Sequence, residues 1–260
     1  MYPSLAGKRA VVLGGSRGIG RAIALRLASE GVHVLVNYAR SAEAAEAAAA
    51  ECRELGVESE AVRADIGDAA ELGALFARVA QWGGVDVLIN NAARGLERPR
   101  PAIEQRPKHL RATMDVNLFG PWTAVQLATP MMERRGGGSV VNLLSPGAWQ
   151  YMPNYSAVAV SKAALASLTR YLAVELMPRG IRVNGVSAGW VEGSDGEHSY
   201  RNGISDRVRS QVPAGRNVAP EDVAAAVAWL CSDESSMLVG ETVHLDGGFG
   251  IGAWRDVLDG

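Results

Sequence analysis

A short apolar run, Arg9-Ala-Val-Val-Leu13, leads straight into Gly14-Gly-Ser-Arg-Gly18-Ile-Gly20, and an amphipathic stretch follows in which Ile19, Ile23 and Leu27 are spaced by four. No other stretch limits the fold so tightly. A buried strand, a glycine-rich turn and a helix in that order make the first half of a dinucleotide-binding unit. Glycines permit a tight turn and close backbone approach, and the free N–H groups of the first helical turn attract phosphate. The spacing is G-x3-G-x-G rather than the commoner G-x-G-x-x-G. A tight strand-to-helix turn that binds nothing is the plain alternative.

The rest of the chain continues the alternation. Apolar runs at Val32–Tyr38, Ser59–Asp65, Val85–Asn91, Gly138–Ser145, Ile181–Ser187 and Glu241–Gly248 read as strands. Helical patterns lie between them, including Ala42–Leu55, Ala69–Trp82, a long helix containing Asn117, and Pro220–Cys231. Such alternation predicts an α/β chain with a doubly wound, Rossmann-type parallel sheet of seven strands, helices on both faces, and ligands beyond the carboxyl ends of the strands. We read residues 1–260 as one domain with no linker, and the polar, weakly periodic stretch 190–212 as a mobile lid or substrate loop.

Composition narrows the partners. A net charge of −2, without a basic patch or acidic tail, argues against nucleic acid and anionic membrane. Cys52 and Cys231 have neither metal-ligand nor disulfide spacing, which suits a reducing, cytoplasmic setting. The first residues lack the apolar core of a signal peptide, and no apolar run reads as long enough to cross a bilayer. His109, His198 and His244 form no convincing metal set, so no metal is expected.

Beyond the second strand, an acidic residue would hydrogen-bond the ribose hydroxyls of NAD. Here the strand end carries Asn37, with Arg40 just after it. Arg17 and Arg40 would flank a 2′-phosphate, which favours NADPH over NADH; two solvated arginines are the alternative. Asp65 and Ile66 sit where an adenine would rest. Asn90 and Asn91, ending the fourth strand, either tie the backbone around a ribose or satisfy a neighbouring strand.

A second feature is Tyr155-x6-Lys162, in a stretch that Pro153 and Asn154 mark as a helix start. In a helix, seven residues place two side chains within about 20° of one face and roughly 10 Å apart along the axis. An ammonium near a phenol lowers its pKa and makes it a better proton donor or oxyanion partner. Ser145 lies at the mouth of the fifth strand.

Taken together, Gly14, Gly18, Gly20, Asp65, Asn90-Asn91-Ala92, Asn117, Ser145, Lys162 and Val243–Gly248 resemble the short-chain dehydrogenase/reductase family along nearly the whole chain. That resemblance implies that Lys162 holds the nicotinamide ribose and that Asn117 supports a water or proton path. It also implies cofactor contacts at Ser16, Ile19, Ala92 and Gly189, and a homotetramer built through the Asn117 and Tyr155 helices. Departures are Leu13 for a common Thr, Ala93 for a common Gly, and Val158 where the family phenol usually lies, four residues before the lysine.

Tyr155-x6-Lys162, with Asn37-Tyr-Ala-Arg-Ser41 and Asn90-Asn-Ala-Ala, looks like the NADPH-dependent bacterial enoyl-acyl-carrier-protein reductases. Three residues along a helix move the phenol by about 4.5 Å and about 60°. An enolate oxygen lies farther from the hydride acceptor carbon than an alkoxide does, and a donor must sit where charge develops. The leading expectation is therefore reduction of a 2-enoyl thioester carried by acyl-carrier protein or coenzyme A. The alternatives are a 3-oxoacyl or ketone reductase using Tyr155 with Ser145, and a nucleotide-binding protein that has lost its chemistry. Arg94, Arg98, Arg100 and Arg106 either meet an acidic carrier or keep their loop solvated. Met131, Met132 and Trp122 read as core or interface, and Trp254 as a tail residue that would join such an interface.

Overall fold

The computed structural model describes residues 1–95, 99–193 and 203–252. Arg98, His198, Trp254 and the 194–202 part of the expected lid lie outside the described residues. Seven strands form one sheet: β1 Arg9–Leu13, β2 His33–Tyr38, β3 Ser59–Arg63, β4 Val87–Asn90, β5 Gly138–Leu144, β6 Ile181–Ala188 and β7 Thr242–Leu245. Their order is β3-β2-β1-β4-β5-β6-β7, with every neighbour parallel. The order reverses between β1 and β4, where ligands bind in sheets of this kind. This is the doubly wound, Rossmann-type sheet that the alternation predicts.

The helices are α1 Gly18–Ser29, α2 Ala42–Glu54, α3 Ala69–Gln81, α4 Pro107–Met114, α5 Gly120–Arg134, α6 Ser156–Leu176, α7 Ile204–Arg209 and α8 Pro220–Cys231. In β1 and β2, Val12, Val34 and Val36 pack with Ile23, Leu27, Ala45 and Val227 of α1, α2 and α8. Val11, Leu13 and Leu35 face the other way, against Leu72, Phe76, Ala128 and Leu172 of α3, α5 and α6. Both sheet faces are thus buried, and the central strands are apolar at successive residues instead of alternating with polar ones. Buried Asp86 accepts from the Arg9 N–H at 2.7 Å and from Arg135 Nε at 2.7 Å, tying the start of β1 to the end of α5. Met131 and Met132 are core; Trp122 on α5 is exposed.

The long helix expected around Asn117 runs from α4 through a π-helical turn at Asp115–Phe119 into α5, with helical dihedrals at both junctions. The described part of 190–212 contains the short helix α7, and Val191 bridges to Val218 beyond it. One expectation needs correction. One segment, Ser156–Arg179, does have the length and apolar composition to cross a membrane, contrary to the sequence reading; half of it is buried within the fold, against the sheet.

Candidate active site

The glycine-rich turn is held by backbone contact and by two amides. Gly14 has φ +70°, and a Cβ there would stand 2.8 Å from the Ala92 Cα. A Cβ on Gly20 would collide with the Gly14 carbonyl and lie 2.5 Å from Asn91 Nδ2. Asn91 Nδ2 donates to the Leu13 and Gly14 carbonyls at 3.3 and 2.8 Å. Asn37, at the end of β2, does not face outward as a ribose contact. It is buried: its Oδ1 accepts from the Gly14 N–H at 3.2 Å, and its Nδ2 donates to the Ala64 and Val62 carbonyls at 3.1 and 3.3 Å. Asn90 likewise faces inward, donating to Asn142 Oδ1 at 2.7 Å, and Asn142 donates on to Thr169 Oγ1 at 2.9 Å. Both amides of the Asn90-Asn91 pair therefore bond to protein groups.

Helix α1 opens at Gly18, and its N-cap, Arg17, makes no side-chain capping bond. The first-turn N–H groups, at the carboxyl end of β1, are thus left without a cap from the Arg17 side chain, as an anion site requires. Ser16 is buried, Ile19 packs on the core, and Arg17 and Arg40 are exposed. Asp65 accepts from the Gly67 N–H at 2.9 Å, folding a tight turn beside buried Ile66. Across the crevice, the Gly189 N–H donates to the Leu245 carbonyl at 2.8 Å, and a Cβ on Gly189 would press on Asp246. The close backbone packing and the open helix terminus fit a dinucleotide.

The second half of the site grows from the end of β5. Ser145 follows the strand in extended conformation, and Pro146–Ala148 forms a 3-10 turn. Asn154 takes φ +60°, a left-handed conformation that asparagine tolerates. That bend brings the chain into α6 with Tyr155 at the N-cap, φ −111° and ψ 7°. Tyr155 therefore stands at the helix entrance, not on a helical face, and spacing along the helix does not set its position. Its phenol oxygen is 3.2 Å from Ser145 Oγ, and either oxygen can donate.

Lys162, one of the most buried charged residues, donates from Nζ to the Leu143 carbonyl at 2.6 Å. Burial pushes its ammonium down to about 8. Asn117 sits in the π-helical stretch, and its Nδ2 donates to the Arg94 carbonyl at 3.2 Å and to Ser161 Oγ at 3.0 Å. Its Oδ1 accepts from the Arg94 N–H at 2.7 Å. Ser161 in turn donates to the Val158 carbonyl at 2.7 Å. The π-helical turn thus lets Asn117 join the loop after β4 to the helix that carries Lys162; such turns recur at functional sites. Val158 is only 3 % exposed, buried where the usual family phenol would stand. Ser161 and Gly147 also belong to this constellation, and their only sequence signals are adjacency to Lys162 and to Pro146.

Two hydroxyls in contact can hold an oxygen and give it a proton, and the buried Lys162 ammonium is tied to the Leu143 carbonyl two residues before Ser145. The sequence profile described as "Enoyl-(Acyl carrier protein) reductase" matches residues 14–250. The 3-oxoacyl-[acyl-carrier-protein] reductase of Staphylococcus aureus is 39 % identical over 242 residues, 93 % of this chain and 97 % of its own. The structure of a 7α-hydroxysteroid dehydrogenase complexed with NADH and 7-oxo glycochenodeoxycholic acid aligns with TM-score 0.87 and 32 % identity, over 95 % of this chain and 96 % of that one. A gluconate 5-dehydrogenase from Burkholderia cenocepacia, in complex with NADP and tartrate, aligns with TM-score 0.85 and 28 % identity, over 95 % and 97 %. The expectation of carbon–carbon double-bond reduction does not survive these relatives, whose names concern oxo groups and alcohols. The displaced phenol that motivated it contacts Ser145. With a profile spanning most of its length and a relative at 39 % identity across it, the chain is an oxidoreductase that belongs to the short-chain dehydrogenase/reductase family.

Proposed function

We propose that the protein reduces the ketone of a 3-oxoacyl thioester to the 3-hydroxy compound, with NADPH as reductant. The observation that carries this reading is the 3.2 Å contact between Ser145 Oγ and the Tyr155 phenol. It restores a two-hydroxyl grip on one oxygen although Val158 occupies the usual phenol position. When bound, the nicotinamide supplies the hydride. Ser145 holds the ketone oxygen by donating a hydrogen bond, and Tyr155 gives that oxygen its proton as negative charge develops there. Lys162 binds the nicotinamide ribose. Asn117 holds the loop at Arg94 against α6 and supports the path that reloads the phenol with a proton.

Gly14, Ser16, Gly18, Ile19 and Gly20 take the pyrophosphate at the start of α1. Arg17 and Arg40 take the 2′-phosphate, Asp65 and Ile66 the adenine, and Asn91, Ala92 and Gly189 the nicotinamide half. The carrier of the acyl group is acyl-carrier protein or coenzyme A, and the setting is the cytoplasm. Exposed Phe119 and Trp122 on the α5 side and Tyr171 and Val174 on α6 support assembly into a homotetramer through these helices.

The test is NADPH oxidation with 3-oxobutanoyl and 2-butenoyl thioesters side by side, with NADH as control. Consumption with the oxo substrate supports the proposal. Binding of NADPH without turnover of 3-oxo thioesters, on either carrier and at several chain lengths, would sink it.

A further inference from the structure

Gly147 is the middle residue of the Pro146–Ala148 turn, between the two hydroxyl residues of the site. Its φ lies outside the left-handed region, so its backbone does not require glycine. A Cβ there would stand 2.7 Å from Tyr155 Cδ1, 2.9 Å from Cε1 and 3.3 Å from the Ala159 Cβ. The edge of the phenol ring therefore lies directly on the Gly147 main chain. We propose that Gly147 is a positioning residue for Tyr155: its missing side chain reserves the space through which the ring reaches Ser145.

The turn cannot give way in place of the ring. The Ala148 N–H donates to the Ser145 carbonyl at 2.9 Å, and the Trp149 and Gln150 N–H groups donate to the Pro146 carbonyl at 3.0 and 2.9 Å. Beyond it, Gln150 Nε2 reaches the Gly250 carbonyl at 3.3 Å, and the Trp149 ring meets His244 edge-on with centroids 4.8 Å apart. The turn is thus pinned both to itself and to the carboxyl-terminal loop. A methyl group at position 147 displaces the ring, the only one of the two contacting parts with rotational freedom. Misplacement of a reacting group by about 1 Å can cost ~10²-fold in rate.

This inference rests on the reading of Tyr155 as proton donor, and the test separates the two. Gly147→Ala, Tyr155→Phe and the double variant are assayed with a 3-oxobutanoyl thioester, with folded sites counted by NADPH binding so that unfolded protein does not imitate a loss of kcat. Gly147→Ala is expected to lower kcat about 10–100-fold while the KM and Kd for NADPH stay unchanged. Acting through the same phenol, the two changes do not add, so the double variant is no slower than Tyr155→Phe. A kcat for Gly147→Ala within about twofold of the parent overturns the proposal alone, as does a double variant whose losses multiply. Full activity of Tyr155→Phe overturns the phenol's role and this inference with it.

Discussion

The hydroxyl oxygens of Ser145 and Tyr155, ten residues apart in the chain, lie 3.2 Å from each other at the carboxyl end of β5. Each comes from a different element, one extended and one at a helix N-cap, so the contact is a product of packing. Tyr155→Phe is expected to lower kcat by ~10²–10⁴-fold, the usual worth of a positioned acid. Ser145→Ala removes one donor to the developing oxyanion and is expected to cost ~10²-fold. Initial rates with saturating NADPH check both, and an active Tyr155→Phe enzyme would falsify the assigned roles.

Burial alone brings the Lys162 ammonium from 10.5 down to about 8. If its charge serves the reaction, kcat/KM of the free enzyme falls as pH rises through about 8. Stability moves the other way. Between about 8 and 10.5 the unfolded chain binds the lysine proton and the folded chain does not, so this group's contribution to stability increases with pH across that window. Below the window, the folded protein carries the cost of a buried charge. Lys162→Met should therefore melt higher than the parent at pH 7, by roughly 2–8 °C, and the difference should shrink toward pH 10. Calorimetry on ligand-free protein at the two pH values decides it; a gain independent of pH rules out titration as the cause.

Gly20 leaves no room for a side chain, since a Cβ would meet the Gly14 carbonyl and the Asn91 amide. Gly20→Ala is expected to destabilise the protein by about 1–3 kcal/mol and to weaken NADPH binding more than tenfold. Asn91→Ala, which removes the amide from two carbonyls, is expected to cost about 1–3 kcal/mol. Thermal melts and fluorescence titration of NADPH measure both. Unchanged NADPH affinity in Gly20→Ala would place the nucleotide elsewhere.

Arg17 and Arg40 are exposed beside the crevice beyond β1 and β2, whereas Asn37 is turned inward. Arg40→Ala is expected to reduce the preference for NADPH over NADH by ~10–100-fold, the worth of one charge-assisted contact to a phosphate. The ratio of kcat/KM for the two cofactors reads this directly, and a ratio that stays constant assigns the arginine to solvent.

The strand–helix alternation, the parallel sheet and the glycine-rich turn between its first strand and first helix were all legible in the chain. These features follow from local pattern: apolar runs buried on both faces, helical spacing between them, and glycines where backbones touch. What Tyr155 does was not legible. Helical spacing relates two side chains only when both lie within the helix, and Tyr155 stands at its N-cap. Its partner Ser145 and its seat on Gly147 come from the turn after β5, so docking of that turn on α6 set the contact. In the same way, a polar residue at a strand end reads equally as a ligand contact or an interior tie. Asn37 became a tie because the Gly14 N–H and the Val62 and Ala64 carbonyls, buried at that junction, needed partners. Asn117 was singled out by the family resemblance, but only the π-helical turn around it brought its amide to both Arg94 and Ser161. Local sequence pattern thus determined which elements form and the order in which they alternate. Tertiary packing decided which buried polar groups found one another, because unsatisfied donors and acceptors are matched between elements far apart in the chain.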